Sequence, residues 1–188
     1  MGQRSQIYVR WTKGNGEKVL IARYFQWNFS ERMISRAANL IGVLKGNFLF
    51  SFQFDTSEFV KKIERFCDIN FDYRDIVFSS DIVKEYDKFG DGIGFKPYVF
   101  LGQDNNDGKL FIDVDPKKGI IKYCLTDEDA KIMFDCREYM DWDYPLWKND
   151  LDGRLYLATY DNFEYIEKNA VLMTRDELDA FMNYDYKR

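Results

Sequence analysis

Three charged residues in one short stretch make the chain's best case for catalysis. Asp113 and Asp115 share one face of an expected strand, and Lys117 follows two residues later. Two carboxylates and an amine at this spacing suit Mg²⁺-assisted phosphodiester hydrolysis, because hard cations take carboxylate oxygens. Pro116 interrupts the arrangement, since Pro116–Gly119 reads as a turn. The chain has no histidine. That excludes Ser-His-Asp and Cys-His catalysis and every His-ligated metal site. Asp104-Asn105-Asn106-Asp107-Gly108 has the look of a calcium loop, but Lys109 falls at loop position 6, where glycine is required. Gly90-Asp91-Gly92-Ile93-Gly94 lacks the GKS or GKT ending of a phosphate loop. Cys67, Cys124 and Cys136 are odd in number and show no CxxC spacing. They read as reduced thiols rather than a disulfide framework or zinc site. No catalytic residue, metal or cofactor is expected, and the Mg²⁺-dependent nuclease stands as the weakest alternative.

Charge offers a second kind of chemistry. Residues 1–46 hold eight Lys or Arg against two Glu, whereas the whole chain carries a net charge of −5. A basic contact surface on an acidic body is the expectation. Its candidate residues are Arg4, Tyr8, Arg10, Trp11, Arg23, Tyr24, Trp27, Arg32 and Arg36. Arginine forks suit phosphates or carboxylates, and aromatic rings stack on bases or anchor protein interfaces. Lys13 and Lys18 read as solvated turn charges. An opposite surface is expected from Asp127, Glu128, Asp129, Asp135, Glu138, Asp141 and Asp143, which would suit mimicry of a nucleic acid in a basic groove. The competing reading is internal pairing of these arginines with the acidic body and a solvated helix face for the acids.

These residues need elements to position them. Gln6–Thr12 and Lys18–Phe25 alternate around a Gly/Asn turn and predict a hairpin. Ile7, Val9 and Trp11 then share one face, and Tyr8 and Arg10 the other. Asn28 and Glu31 predict a capping box for a helix ending at Gly46, with Arg32 and Arg36 together on one flank. Phe48–Phe54 predicts a strand, and Asp55 with Glu58 a helix to about Cys67. Further strands are expected at Ile76–Ser79, Tyr98–Gly102, Leu110–Asp115 and Ile120–Leu125, with a short helix at Ser80–Phe89. A helix capped by Thr126 is expected to run from about Asp127 to Met140. Asp141–Gly153 reads as an aromatic loop that plugs the core. Arg154–Tyr160 is strand or helix, a helix covers Asn162–Lys168, and Thr174 with Glu177 caps the last helix. The sum is one α+β domain over residues 1–188, with a mostly antiparallel sheet, four to five helices and a lobe boundary near 90–94. The N-terminus shows no signal peptide and no apolar run reaches membrane length, so a cytoplasmic protein is expected.

The segments GQRSQIYVRW, LIARYFQWNFSERMISRA, EYMDWDYPLW and NAVLMTRDELDAF resemble a group of small proteins carried by prophages and other mobile elements of Gram-positive bacteria. The resemblance brings no catalytic motif. It implies, through genetic context, action against host defences, including inhibition of CRISPR nucleases. The expectation is therefore a non-enzymatic interaction protein acting in the bacterial host cell by steric and electrostatic docking. Its partner would be a host protein or ribonucleoprotein complex, with direct DNA or RNA binding as the alternative and no membrane involved. Nothing in the sequence opposes a homo-oligomer.

Overall fold

Arg4–Thr12 (β1) and Lys18–Gln26 (β2) pair antiparallel, with Arg4 opposite Gln26 and Thr12 opposite Lys18. The computed structural model describes residues 2–46, 61–65 and 78–186. Ser30–Gly46 (α1) follows the hairpin, then Phe78–Asp81 (β3) and Ile82–Phe89 (α2). Lys109–Asp115 (β4), Ile120–Thr126 (β5) and Met133–Phe134 (β6) come next. Cys136–Asp143 (α3), Trp147–Asp150 (α4), Gly153–Asn169 (α5), Val171–Leu172 (β7) and Arg175–Met182 (α6) complete the chain. The result is an α+β fold on one seven-stranded mixed sheet, ordered β3-β2-β1-β4-β5-β6, with β7 also pairing β5. Most pairs are antiparallel. The exceptions are β1 with β4 and β5 with β7.

Both faces of the sheet are covered, and this corrects the expected surface. Ile7, Val9 and Trp11 enter one core with α1, α3 and α5. Tyr8 enters a second core with Val99, Phe100, Phe111 and the α6 residues Leu178 and Phe181. The alternation of β1 therefore separates two interiors, not an interior from solvent. Arg10 lies on the Tyr8 side and faces Asp113 directly across the parallel pair. Its Nε and Nη2 donate to Asp113 Oδ1 and Oδ2 at 2.8 and 2.6 Å, and its Nη1 donates to the Ala180 carbonyl at 3.0 Å. The guanidinium also lies 4.4 Å from the centre of the Phe181 ring. One side chain thus joins β1, β4 and α6.

Several expected elements differ. Tyr98–Gly102 is not a strand; Pro97–Leu101 forms a π-helical turn with proline at its start. Val99 and Phe100 are both buried, which the period-2 pattern of a half-buried strand does not allow. Residues 127–132 form a turn instead of the start of a helix. Asp127 Oδ1 accepts the Lys131 and Ile132 amides at 2.7 and 3.0 Å, and Ala130 sits at φ +59°. The helix begins later, where Asp135 and Glu138 form a reciprocal capping box. The aromatic segment contains α4, and Trp147 is buried, its indole donating to Asp141 at 2.8 Å. The two expected pieces near the C-terminus are one helix, α5, and the Thr174–Glu177 capping box does start α6. Among the described residues there are eight helical segments, counting 61–65 and the π-turn, so four to five is too few. The Phe48–Phe54 strand, and the 55–67 helix apart from residues 61–65, lie outside the described residues. Among the described residues no helix is long and apolar enough to cross a membrane.

Asp113→Ala leaves a buried guanidinium without its carboxylate, and such a loss costs about 3–5 kcal/mol. Urea unfolding of Asp113→Ala should show a correspondingly lower midpoint. Asp129→Ala, which removes an exposed pair with Lys131, should lower the midpoint far less.

Candidate functional site

Most of the expected basic surface is consumed inside the protein. Arg36 is wholly buried, its Nε donating to Asn28 Oδ1 at 2.8 Å and its guanidinium 4.9 Å from the Phe25 ring centre. Arg32, one turn earlier, is only half-buried and its guanidinium reaches the Trp27 carbonyl instead. Arg23 is buried and donates to Ser79 Oγ at 2.8 Å. Arg10, Tyr8 and Trp11 are core residues, and the Tyr8 hydroxyl donates to the Val99 carbonyl at 2.7 Å.

The expected acidic surface also divides. Asp127 is buried in its turn, and Asp135 and Glu138 cap α3. Glu128 and Asp129 are exposed. Both side chains, with Asp127, act electrostatically on buried Lys109, whose Nζ donates to the Glu128 carbonyl. Burial brings the Lys109 ammonium down to about 8, and the three acids oppose that shift. Cys124 and Cys136 are buried, which pushes their thiols up to about 12 and leaves them poor nucleophiles.

Asp113 and Asp115 line a cleft of about 220 Å³ between the sheet and α6. Each carboxylate there already has a cation. Asp113 holds Arg10, Asp115 holds Lys118, and Glu177 holds Lys122. Lys117 reaches the Gly14 carbonyl instead of joining the two aspartates. Among the described residues no group of three acidic, Cys or His side chains could hold a metal ion.

What remains together is a corner where β1 begins and β2 ends. Arg4, Tyr24, Trp27 and Arg32 meet the surface there. Arg4 pairs with Asp104, and Tyr24 is partly exposed. Trp27 is 42% exposed and adopts φ +65°, a left-handed conformation that costs a side-chain-bearing residue about 1–2 kcal/mol. The kink is held from several sides. The Trp27 amide donates to the Gln3 carbonyl at 2.9 Å, and Arg32 Nη1 donates to the Trp27 carbonyl at 3.1 Å. Asn28, the expected helix cap, is instead buried: its Nδ2 donates to Ser5 Oγ at 3.1 Å, and Ser5 Oγ donates to the Asn28 carbonyl at 2.6 Å. Ser30 opens α1 at φ +46°, and Asp143 accepts from both its amide and its hydroxyl at 2.7 Å.

The loop 103–108 closes the corner from beside β1. Asn106 and Asp107 amides both donate to the Arg4 carbonyl at 3.1 Å, and Gln6 Nε2 reaches the Asp104 carbonyl at 3.0 Å. The loop enters β4 through Gly108 at φ +81°, where an added Cβ would lie 2.3 Å from the Thr126 carbonyl oxygen. Sequence reasoning found Arg4, Tyr24, Trp27 and Arg32 by type. It missed Ser30, Asp107, Tyr139 and Asn28 as the groups that hold them. Compared with known proteins, the chain matches no family model, no curated protein and no solved structure.

Strain at Trp27 has a measurable signature. Trp27→Gly and Trp27→Ala lose the same ring, but only glycine accepts the left-handed backbone. Trp27→Gly should be the more stable by about 1 kcal/mol in urea unfolding.

Proposed function

We propose that the protein is a non-enzymatic interaction protein of a mobile element. It acts in the bacterial cytoplasm and blocks a host nucleic-acid-targeting defence complex, such as a CRISPR nuclease, by steric and electrostatic docking. The docking site is the Arg4–Trp27–Arg32 corner. The observation that carries this reading is Trp27, a large ring kept in solvent on a strained backbone whose N–H and carbonyl are both tied down. Strain persists where surrounding structure enforces it, and such positions cluster at functional sites. A rigid tryptophan flanked by arginines is also the side-chain chemistry that dominates protein interfaces.

A protein surface is favoured over bare nucleic acid by the number of cations left outside. Two arginines at the corner would neutralise about two phosphates, giving a logarithmic salt slope of about −1.8. The seven cations from Arg4 to Arg36 acting together would give about −6. With Arg10, Arg23 and Arg36 buried, the steep slope is out of reach.

Inhibition is tested by titrating the purified protein into target-DNA cleavage reactions of reconstituted CRISPR nuclease–guide complexes. Cleavage should slow, and Trp27→Ala should raise the half-inhibitory concentration about 30-fold, as loss of a hot-spot ring of about 2 kcal/mol requires. Equal inhibition by Trp27→Ala would remove the corner from the proposal. Unimpaired cleavage in every complex tried would remove the defence target. Fluorescence-anisotropy titrations with single-stranded and duplex DNA and RNA complete the comparison. A salt slope near −6 would favour the direct nucleic-acid module instead.

A further inference from the structure

Beneath the corner, one buried phenol links the main chain at Asp107 to the carboxylate of Asp143. Tyr139 is wholly buried, and its hydroxyl lies 2.7 Å from the Asp107 carbonyl oxygen and 3.2 Å from Asp143 Oδ2. A phenol has one hydrogen to donate, so it serves one acceptor well at a time. The Asp143 carboxylate also receives the Ser30 amide and hydroxyl, which fastens the end of α3 to the start of α1. The buried Asp107 carboxylate accepts the Arg4 amide, which fastens the 103–108 loop to the start of β1. Among the described residues neither carboxylate is ion-paired.

The surrounding charges do not relieve the pair. From β1, Arg4 offers Asp107 its backbone amide, while its guanidinium is held by Asp104. From α1, the facing group is Ser30, with Glu31 and Arg32 next along the helix. From α3, the facing groups are Tyr139 and Asp143, with Tyr144 following. A buried Asp107 carboxylate and a half-buried Asp143 carboxylate, each with hydrogen-bond donors but no counter-ion, are unfavourable together as anions, and one proton resolves the conflict.

We propose that Asp107, Tyr139 and Asp143 form a proton-operated latch that locks the Trp27 corner onto the helical layer. The latch is closed when the carboxylate pair holds a proton and loosened when both are ionised. Burial, followed by the charge of Asp143, raises Asp107 to about 7 against the opposing Arg4 amide. Burial likewise raises Asp143, against hydrogen bonds from Ser30 and Tyr139. The native protein therefore keeps a proton that the unfolded chain has released above about pH 4. Stability should fall as pH rises from about 4 to about 7 on account of this pair, then level off. The latch acts on the corner whatever docks there, so its test is separate from that of the docking reading.

The two amides that donate to the carboxylates are the probes. In ¹H–¹⁵N spectra recorded from about pH 5 to about pH 9, the Arg4 amide should titrate with a midpoint near 7. Ser30 should follow the same transition, and amide exchange at Trp27 and Asn28 should exceed its intrinsic base-catalysed increase above it. Asp107→Asn keeps an acceptor for Arg4 and removes the proton. It should abolish the midpoint at both amides and leave thermal stability nearly flat over this pH range. Tyr139→Phe should keep the Arg4 midpoint and lose the response at Ser30. A wild-type spectrum without a transition in this range would overturn the proposal. So would a transition that survives in Asp107→Asn.

Discussion

The parallel pairing of β1 with β4 is the constraint on which the rest of the fold depends. It places Arg10 opposite Asp113 across 103 residues of sequence. A guanidinium in that position is buried between the sheet and α6, so it must have both a carboxylate and a carbonyl acceptor. Asp113 supplies the first and Ala180 the second. One side chain therefore ties the register of the central strands to the placement of the C-terminal helix. Ridges of Phe, Tyr and Leu fill the space around it without specifying it.

That arrangement also explains what the sequence disclosed. The hairpin, β4, β5 and α6 follow patterns with a local cause: alternation around turn residues, or the Thr174–Glu177 box. Elements whose cause is distant were illegible. The charge of Arg10 reads locally as solvent-facing, and only Asp113 makes it an interior residue. Asp127 reads as a first-turn acid, yet its carboxylate closes a turn through Lys131 and Ile132. β6 and β7 are two residues each and have no periodicity to detect. At the corner, Trp27 and the flanking arginines were visible as types. Their support from Ser30, Asp143 and Tyr139 depends on contacts that no spacing announces.

The inward turn of the cations changes the meaning of the charge asymmetry. Residues 1–46 are basic in composition, but Arg10, Arg23 and Arg36 serve as structural bridges. Part of the N-terminal excess is thus an internal supply of hydrogen-bond donors, from Arg10 and Arg23 to segments that arrive later in the chain and from Arg36 back to Asn28. What faces solvent there is a small patch with a ring at its centre. A small rigid patch is compatible with specific recognition, because a few anchored residues dominate most interfaces.

The order of synthesis gives the central pairing a further consequence. The hairpin of β1 and β2 is complete on the ribosome long before β4 emerges, so β1 has an open edge during much of translation. An unpaired edge is a template for unwanted association with other chains. In that interval Arg10 stands on the β1 strand without its carboxylate, and a bare positive charge there opposes pairing with an apolar strand. The side chain that cements the finished sheet is also suited to guard the unfinished one.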